Sequence, residues 1–237
     1  MSATVSGSSP QVVSPELPAL PPLSLYIHMP WCVRKCPYCD FNSHELRTGL
    51  PEEEYLKALT RDLESTLPAA AGRRVQTVFI GGGTPSLFAP ATIERLLTTV
   101  HTLLPLDADA EITLEANPGT FEVEKFRAFR QAGVTRLSLG IQSFSDRHLA
   151  TLGRIHGGRE ARAALACALE LFPRVNVDLM FGLPNQSVPE AVAAVDAPLA
   201  AAGPAQLVRP HFEQVGAAGP GQVQHARAYR PGGDQFQ

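Results

Sequence analysis

The sequence predicts an α/β fold built on a parallel sheet, and three observations carry that expectation. Short apolar, β-branched runs alternate five times with stretches of helical period. Polar and glycine residues recur in or just beyond the ends of those runs: His28, the segment 81–84, Glu115, Gln142 and Asp178. The 237 residues suffice for one large domain or two small ones. Parallel strands joined by right-handed crossovers leave two architectures at this length, an open doubly wound sheet or a partial (β/α) barrel. Both gather ligands at the C-terminal ends of their strands, so the polar strand ends are expected to share one pocket.

Strands are expected at residues 23–28, 75–80, 111–115, 134–141 and 175–181. Between the first two, Pro51 precedes a helix over 52–67 that carries Leu56, Leu59, Leu63 and Leu67 on one face. Ile93, Leu96, Leu97, Val100 and Leu104 keep the helical rhythm before the third strand. Val123, Phe126 and Phe129 mark a helix stopped by Gly133, and residues 160–172 form a later one. Ser187 with Glu190 three residues on is a capping-box signature for a final helix.

The flanks differ in composition. Residues 1–22 hold five Pro and five Ser, no Lys or Arg, and one charge at Glu16, which reads as a disordered leader rather than a targeting presequence. Residues 203–237 contain six Gly, four Pro and six Gln with one Leu and no Ile. They read as a poorly ordered tail with at most a short sixth strand near 206–208. The core domain is expected over 23–202.

Composition narrows the function classes. Hydrophobic residues make up 44% and charged residues 18%, a globular mixture, and the net charge of −3 argues against nucleic acid as the main partner. No apolar run approaches the roughly 20 residues of a membrane-spanning helix. Three of four cysteines, Cys32, Cys36 and Cys39, fall within eight positions, and Cys167 stands alone in an Ala- and Leu-rich helix as a small core residue. This pattern fits a metal site in a reducing compartment, and hence a cytoplasmic protein, better than a disulfide scaffold.

Cysteines at i, i+4 and i+7 would share a helix face, but Pro37 would remove a backbone donor and clash inside that helix. A loop around a metal is the better reading. Structural zinc takes four ligands, usually in paired C-x2-C elements, and neither His28 nor His44 completes such a set. Three thiolates suit a [4Fe–4S] cluster with one open iron. His156, close to Arg154, reads first as a solvated loop histidine, with ligation of heme iron the alternative if it is exposed near the pocket.

The C-x3-C-x2-C spacing after a first strand, with Tyr38 just before the last cysteine, resembles the radical S-adenosylmethionine (SAM) proteins. The tract from Tyr26 to Cys39 is similar to the coproporphyrinogen dehydrogenase group, which includes the HemN decarboxylases and the HemW heme chaperones. The resemblance runs from about residue 23 to 188 and implies a partial (β/α) barrel with five clear βα units and an incomplete sixth. It implies that the three cysteines hold the cluster, that the open iron chelates SAM, and that an electron from the cluster cleaves SAM to a 5′-deoxyadenosyl radical. Gly82, Gly83 and Thr84 of a GGGTP loop match the methionine end of the SAM site. Glu115, Gln142, Arg154 and Asp178 match further SAM contacts, with Tyr26 and Tyr38 flanking the cluster.

Decarboxylases of the group carry another cysteine two positions after the third cluster ligand, where this chain has Phe41. That departure resembles the HemW branch and argues against coproporphyrinogen oxidase activity. The branch implies heme or porphyrin as ligand, heme-accepting proteins and an electron donor as partners. Similarity fades after about residue 198, and the change in composition reads as a truncation or a frame change, with an inactive member of the family as a further reading.

Overall fold

The computed structural model describes residues 20–120, 123–201 and 207–214. In chain order the elements are β1 (Leu23–Met29), β2 (Trp31–Cys32), β3 (His44–Glu45), α1 (Glu52–Ala70), β4 (Val75–Gly82), α2 (Pro90–Leu103), β5 (Leu106–Ala116), α3 (Val123–Gln131), β6 (Arg136–Gln142), α4 (Asp146–Thr151), α5 (Gly158–Leu171), β7 (Arg174–Phe181), α6 (Val188–Ala201) and β8 (Leu207–Gln214). Short 3-10 turns at Pro85–Leu87 and Pro118–Thr120 follow β4 and β5.

Six strands form one sheet in the order β1-β4-β5-β6-β7-β8, every pair parallel. Spatial order thus repeats chain order. A right-handed crossover repeated always in one direction puts every helix on the same face, and a doubly wound sheet, which needs a reversal of order, is ruled out. The helices pack α1 on α2, α2 on α3 and α3 on α5 along the convex side, giving an open partial barrel.

Strand periodicity explains which residues make the core. In β4 to β7 Val78, Ile80, Leu114, Leu137, Leu139 and Val177 are buried in the same apolar cluster as Ile93, Leu97 and Val100 of α2, Phe126 and Phe129 of α3, and Leu165 of α5. Phe126 and Phe172 meet edge to face at 6.4 Å. Two helices are tied at their starts: α2 lacks a side-chain cap of its own, and Glu52, the first residue of α1, accepts the Ala89 N–H at 3.1 Å and the Thr92 hydroxyl. Gly133 stops α3 with φ +108°, and the capping box holds, with Ser187 N–H donating to Glu190 Oε2 at 2.8 Å.

Two differences from expectation stand out. The sixth strand is eight residues long and pairs with β7 from Arg174↔Leu207 to Phe181↔Gln214, where only a short strand near 206–208 is expected. The exposed edge of β7 offers a full ladder of backbone donors and acceptors, which a segment poor in Leu and Ile can still use. Helix α4 and the two-residue strands β2 and β3 carry no periodicity long enough to read. Most of the expected leader and tail, residues 1–19, 203–206 and 215–237, lie outside the described residues, Gly203 among them.

Candidate iron–sulfur and cofactor site

The cysteine loop is a wrapped loop, as Pro37 requires. Beyond β1 the chain makes the parallel β2–β3 pair, with His44 N–H donating to the Pro30 carbonyl at 2.6 Å and Leu46 N–H to the Cys32 carbonyl at 2.8 Å. Residues 33–43 bulge out between these two fastenings. A turn closed by Cys39 N–H donating to Cys36 C=O at 3.1 Å brings the last two cysteines together. Burial pushes the Cys32 thiol up, hydroxyls of Thr84 and Ser43 on its sulfur oppose that, and Cys39 and Cys36 act on it as like charges. All three cysteines are half-buried on this one stretch of chain. Among the described residues no three His, Cys, Asp or Glu side chains close tightly enough for a single metal ion, and an iron–sulfur cluster spreads its thiolates more widely than one ion does. Cys167 lies in the apolar core, as its helix predicts.

His28 has a different task from metal binding. Its Nε2 lies 2.7 Å from the Asn42 carbonyl and its Nδ1 2.9 Å from the Tyr26 hydroxyl. A carbonyl only accepts, so Nε2 carries the proton and Nδ1 accepts from Tyr26. Both ring nitrogens are engaged, and the ring ties Tyr26 to the end of the cysteine loop. Tyr26, 56% exposed on the concave face, stacks on Phe79 at 6.1 Å.

The glycine run after β4 is shaped by crowding. Gly82 has φ +117°, and a Cβ there would lie 2.7 Å from the His28 ring; a Cβ on Gly83 would lie 2.6 Å from the Trp31 carbonyl oxygen. Gly83 N–H donates to Met29 C=O and Thr84 N–H to Trp31 C=O, each at 2.7 Å, while Gly82 N–H donates to Glu115 Oε2 at 3.0 Å. These amides are committed within the protein. What the turn can offer a ligand is carbonyl oxygen, which suits an ammonium group.

On the far side of the site β6 ends in a bulge. Leu139 pairs with Val177 but Gln142 with Leu179, so three steps along β6 match two along β7. Arg154, just past α4, reaches back over this end: Nη2 donates to Gly140 C=O at 2.6 Å, and Nη1 to the Tyr38 hydroxyl at 3.3 Å and to Cys36 Sγ at 3.4 Å. Tyr38 in turn packs with Leu152, Met180 and Leu183, and burial pushes its phenol up. Asp178 Oδ1 accepts from Asn176 Nδ2 at 2.8 Å, which also donates to Ser138.

Two groups of predicted residues thus meet: Cys36, Tyr38 and Arg154 are in direct contact, and Gly82 is joined to Glu115. Gln142 stands beside Arg154, since a Cβ on Gly140 would lie 3.4 Å from Gln142 Nε2 and 3.5 Å from Arg154 Nη2. Asp178 lies within β7, three residues before its last, where Asn176 joins it to Ser138 of β6. Sequence reasoning misses Val33, Asn117, Gly153 and Ile155, which line a cleft with Cys36, Thr84 and Arg154. It also misses the pairing roles of Ser43 and His28. His156, expected as a solvated loop histidine with heme ligation as the alternative, is only 4% exposed and bonded to the Ile141 carbonyl. The α4–α5 connection folds it under the strand end.

The residues fit a [4Fe–4S] cluster and SAM. Gln142 Oε1 and Arg154 Nε are buried and have no hydrogen-bond partner among the described residues. An amide acceptor and a guanidinium donor, the latter in contact with Cys36, match ribose hydroxyls and a carboxylate. Arg154, Cys36 and Thr84 all line the cleft. A larger groove of about 680 Å³, between Trp31, Lys35 and residues 43–49, is lined by none of the predicted SAM contacts.

An open partial barrel with three cysteines on a loop after its first strand and polar side chains at its strand ends defines a class. The radical SAM superfamily model matches residues 26–197, and the chain belongs to that superfamily; membership implies a [4Fe–4S] cluster and SAM. The chain is 56% identical over 174 residues to the heme chaperone HemW of Escherichia coli (strain K12), covering 73% of this chain and 46% of that protein. It is 49% identical over 181 residues to HemW of Haemophilus influenzae, covering 74% of this chain and 47% of that protein. In structure it is similar to coproporphyrinogen III oxidase (HemN) of Escherichia coli, with a TM-score of 0.70 and 31% identity over 81% of this chain and 43% of that one. The chain spans about half the length of the curated relatives it matches. No helix among the described residues is long and apolar enough to cross a membrane.

Proposed function

We propose that this chain is the cofactor-bearing core of a cytoplasmic heme chaperone, which binds heme and passes it to an acceptor protein. The observation that carries this reading is Phe41, half exposed beside the cysteine loop. It stands where the oxidases of the group place a further cysteine, in a chain 56% identical to a heme chaperone. In this reading Cys32, Cys36 and Cys39 hold the cluster. Carbonyls of the turn at Gly82 and Gly83, with Glu115, receive the SAM ammonium group, and Thr84 steadies Cys32. Arg154 pairs with the SAM carboxylate, Gln142 and Asp178 bind ribose hydroxyls, and Tyr26 and Tyr38 exclude water on either side. When bound, the cluster supplies an open iron and one electron, which an external donor protein must replace.

A second reading, oxygen-independent coproporphyrinogen III oxidase, is favoured by the fold similarity to HemN. One experiment separates the two. The anaerobically reconstituted protein is given SAM, a reductant and either heme or coproporphyrinogen III. The chaperone reading expects stoichiometric heme binding by absorbance, transfer to an acceptor, and no protoporphyrinogen IX. Catalytic turnover of the porphyrinogen overturns it, and absence of heme binding reduces the chain to a cluster and SAM module.

A further inference from the structure

The end of β6 holds one of three described non-glycine residues with positive φ. Gln142 has φ +66°, left-handed for a residue that carries a side chain. The next residue donates back across it, Ser143 N–H to Ile141 C=O at 2.8 Å, the i to i+2 bond of a γ-turn with positive central φ, a rare and strained form. The same residues form the bulge against β7. Strain of this kind persists only where surrounding groups over-determine it.

Two side chains from one short segment do so. Arg154 Nη2 donates to Gly140 C=O at 2.6 Å, and His156 Nε2 donates to Ile141 C=O at 3.2 Å. Residues two apart therefore hold two successive carbonyls of the strand end. The carbonyl only accepts, so the His156 proton sits on Nε2, and Nδ1 is left buried with no hydrogen-bond partner among the described residues. Burial, then the Arg154 charge, brings the ring's pKa down to about 4, so it is neutral in ordinary buffers. An apolar side chain would fill this space without an orphaned nitrogen. What the histidine adds is a second donor on the Ile141 carbonyl, beside the Ser143 N–H.

We propose that His156 is a positioning residue of the cofactor site, holding the γ-turn that aims Gln142 at SAM. This rests on the reading of Gln142 and Arg154 as SAM contacts. His156 touches no cofactor in this account, and acts through the Ile141 carbonyl.

Three substitutions test it in the reconstituted, cluster-loaded protein. His156→Phe keeps a ring and removes the donor. His156→Gln puts an amide nitrogen near the place of Nε2, and His156→Asn carries the same amide too short to reach. With iron content and melting temperature near those of the parent, His156→Phe and His156→Asn are expected to bind SAM about tenfold more weakly, the scale of one lost hydrogen bond. His156→Gln should recover to within about threefold. In the cluster-free protein, amide hydrogen exchange of Ser143 should quicken in the Phe and Asn variants and not in the Gln variant. Parent-like affinity in His156→Phe overturns the proposal. So does His156→Gln being no better than His156→Asn, or iron content and melting temperature falling in step with affinity, as a packing role would give. If His156→Phe fails to fold, the Gln and Asn pair decides alone. The parent is measured first by the change SAM makes in the electron paramagnetic resonance of the reduced cluster. No change there brings down the SAM reading itself, whereas a failure confined to the variants brings down only the role of His156.

Discussion

The two faces of this sheet are made by alternate residues of the same strands, yet they differ in almost every physical respect. On the convex side Leu114, Leu137, Leu139 and Val177 are fully buried under the helices. Their neighbours Glu115, Ser138 and Asp178 belong to the concave side, with Asn176 bridging Ser138 and Asp178. One face is held by apolar burial, which is non-directional and tolerant of shape-conserving exchange. The other is held by directional hydrogen bonds, two of whose buried atoms, Gln142 Oε1 and Arg154 Nε, lack a partner among the described residues. Stability and chemistry are thereby separated by one residue step, and substitutions should separate them too.

The largest effect is expected at the loop. Replacing Cys32, Cys36 or Cys39 with Ala should abolish retained iron in the anaerobically reconstituted protein, whereas Cys167→Ala, on the helix side, should retain it. Equal iron in all four variants would break the comparison at its root. On the convex face, Leu139→Ala should lower unfolding stability in urea by about 3 kcal/mol through lost burial and a residual cavity. The folded protein should bind SAM with its affinity unchanged; a parallel loss of affinity would mean the faces are not separable.

A smaller effect depends on pH. The folded pKa of His156, about 4 against an ordinary value of 6.5, is depressed by burial and then by Arg154. The unfolded chain therefore binds more protons between those values. The contribution is complete above about pH 6.5 and is lost as pH falls toward 4, by at most roughly 3 kcal/mol. Urea unfolding of the cluster-free protein at pH 7 and pH 5 should show a steeper loss in the parent than in His156→Gln, and equal slopes would contradict it. The smallest stability effect belongs to Glu115→Gln. An amide carbonyl can still accept the Gly82 N–H, so stability should change by less than about 0.5 kcal/mol. SAM affinity should nevertheless fall about tenfold with the carboxylate charge gone.

Much of this molecule was legible before its structure. Five strands and their helices were readable because β-branched runs of period two alternate with leucine patterns of helical period, and each long enough pattern votes many times for one state. The cysteine loop was readable because Pro37 forbids the helix that the spacing alone would allow. Helix α4 spans six residues and β2 and β3 two each, too short for a period to show. The length of β8 was underestimated because pairing to an edge strand depends on the neighbour's backbone, which composition does not record.

What local pattern settles is therefore which residues are apolar, which turn, and which bear chemistry, since those are properties of side chains and short stretches of backbone. Contacts between distant segments belong to the tertiary structure alone. Arg154 meets Cys36 across 118 positions, and Glu115 holds the Gly82 amide across 33. The choice of partial barrel over doubly wound sheet lies in strand order, which no single strand encodes. His156 shows the reason most plainly: an identical imidazole in the sequence is a metal ligand if exposed beside a pocket and a buried donor if folded under a strand end, and burial is decided only when the chain has closed over it.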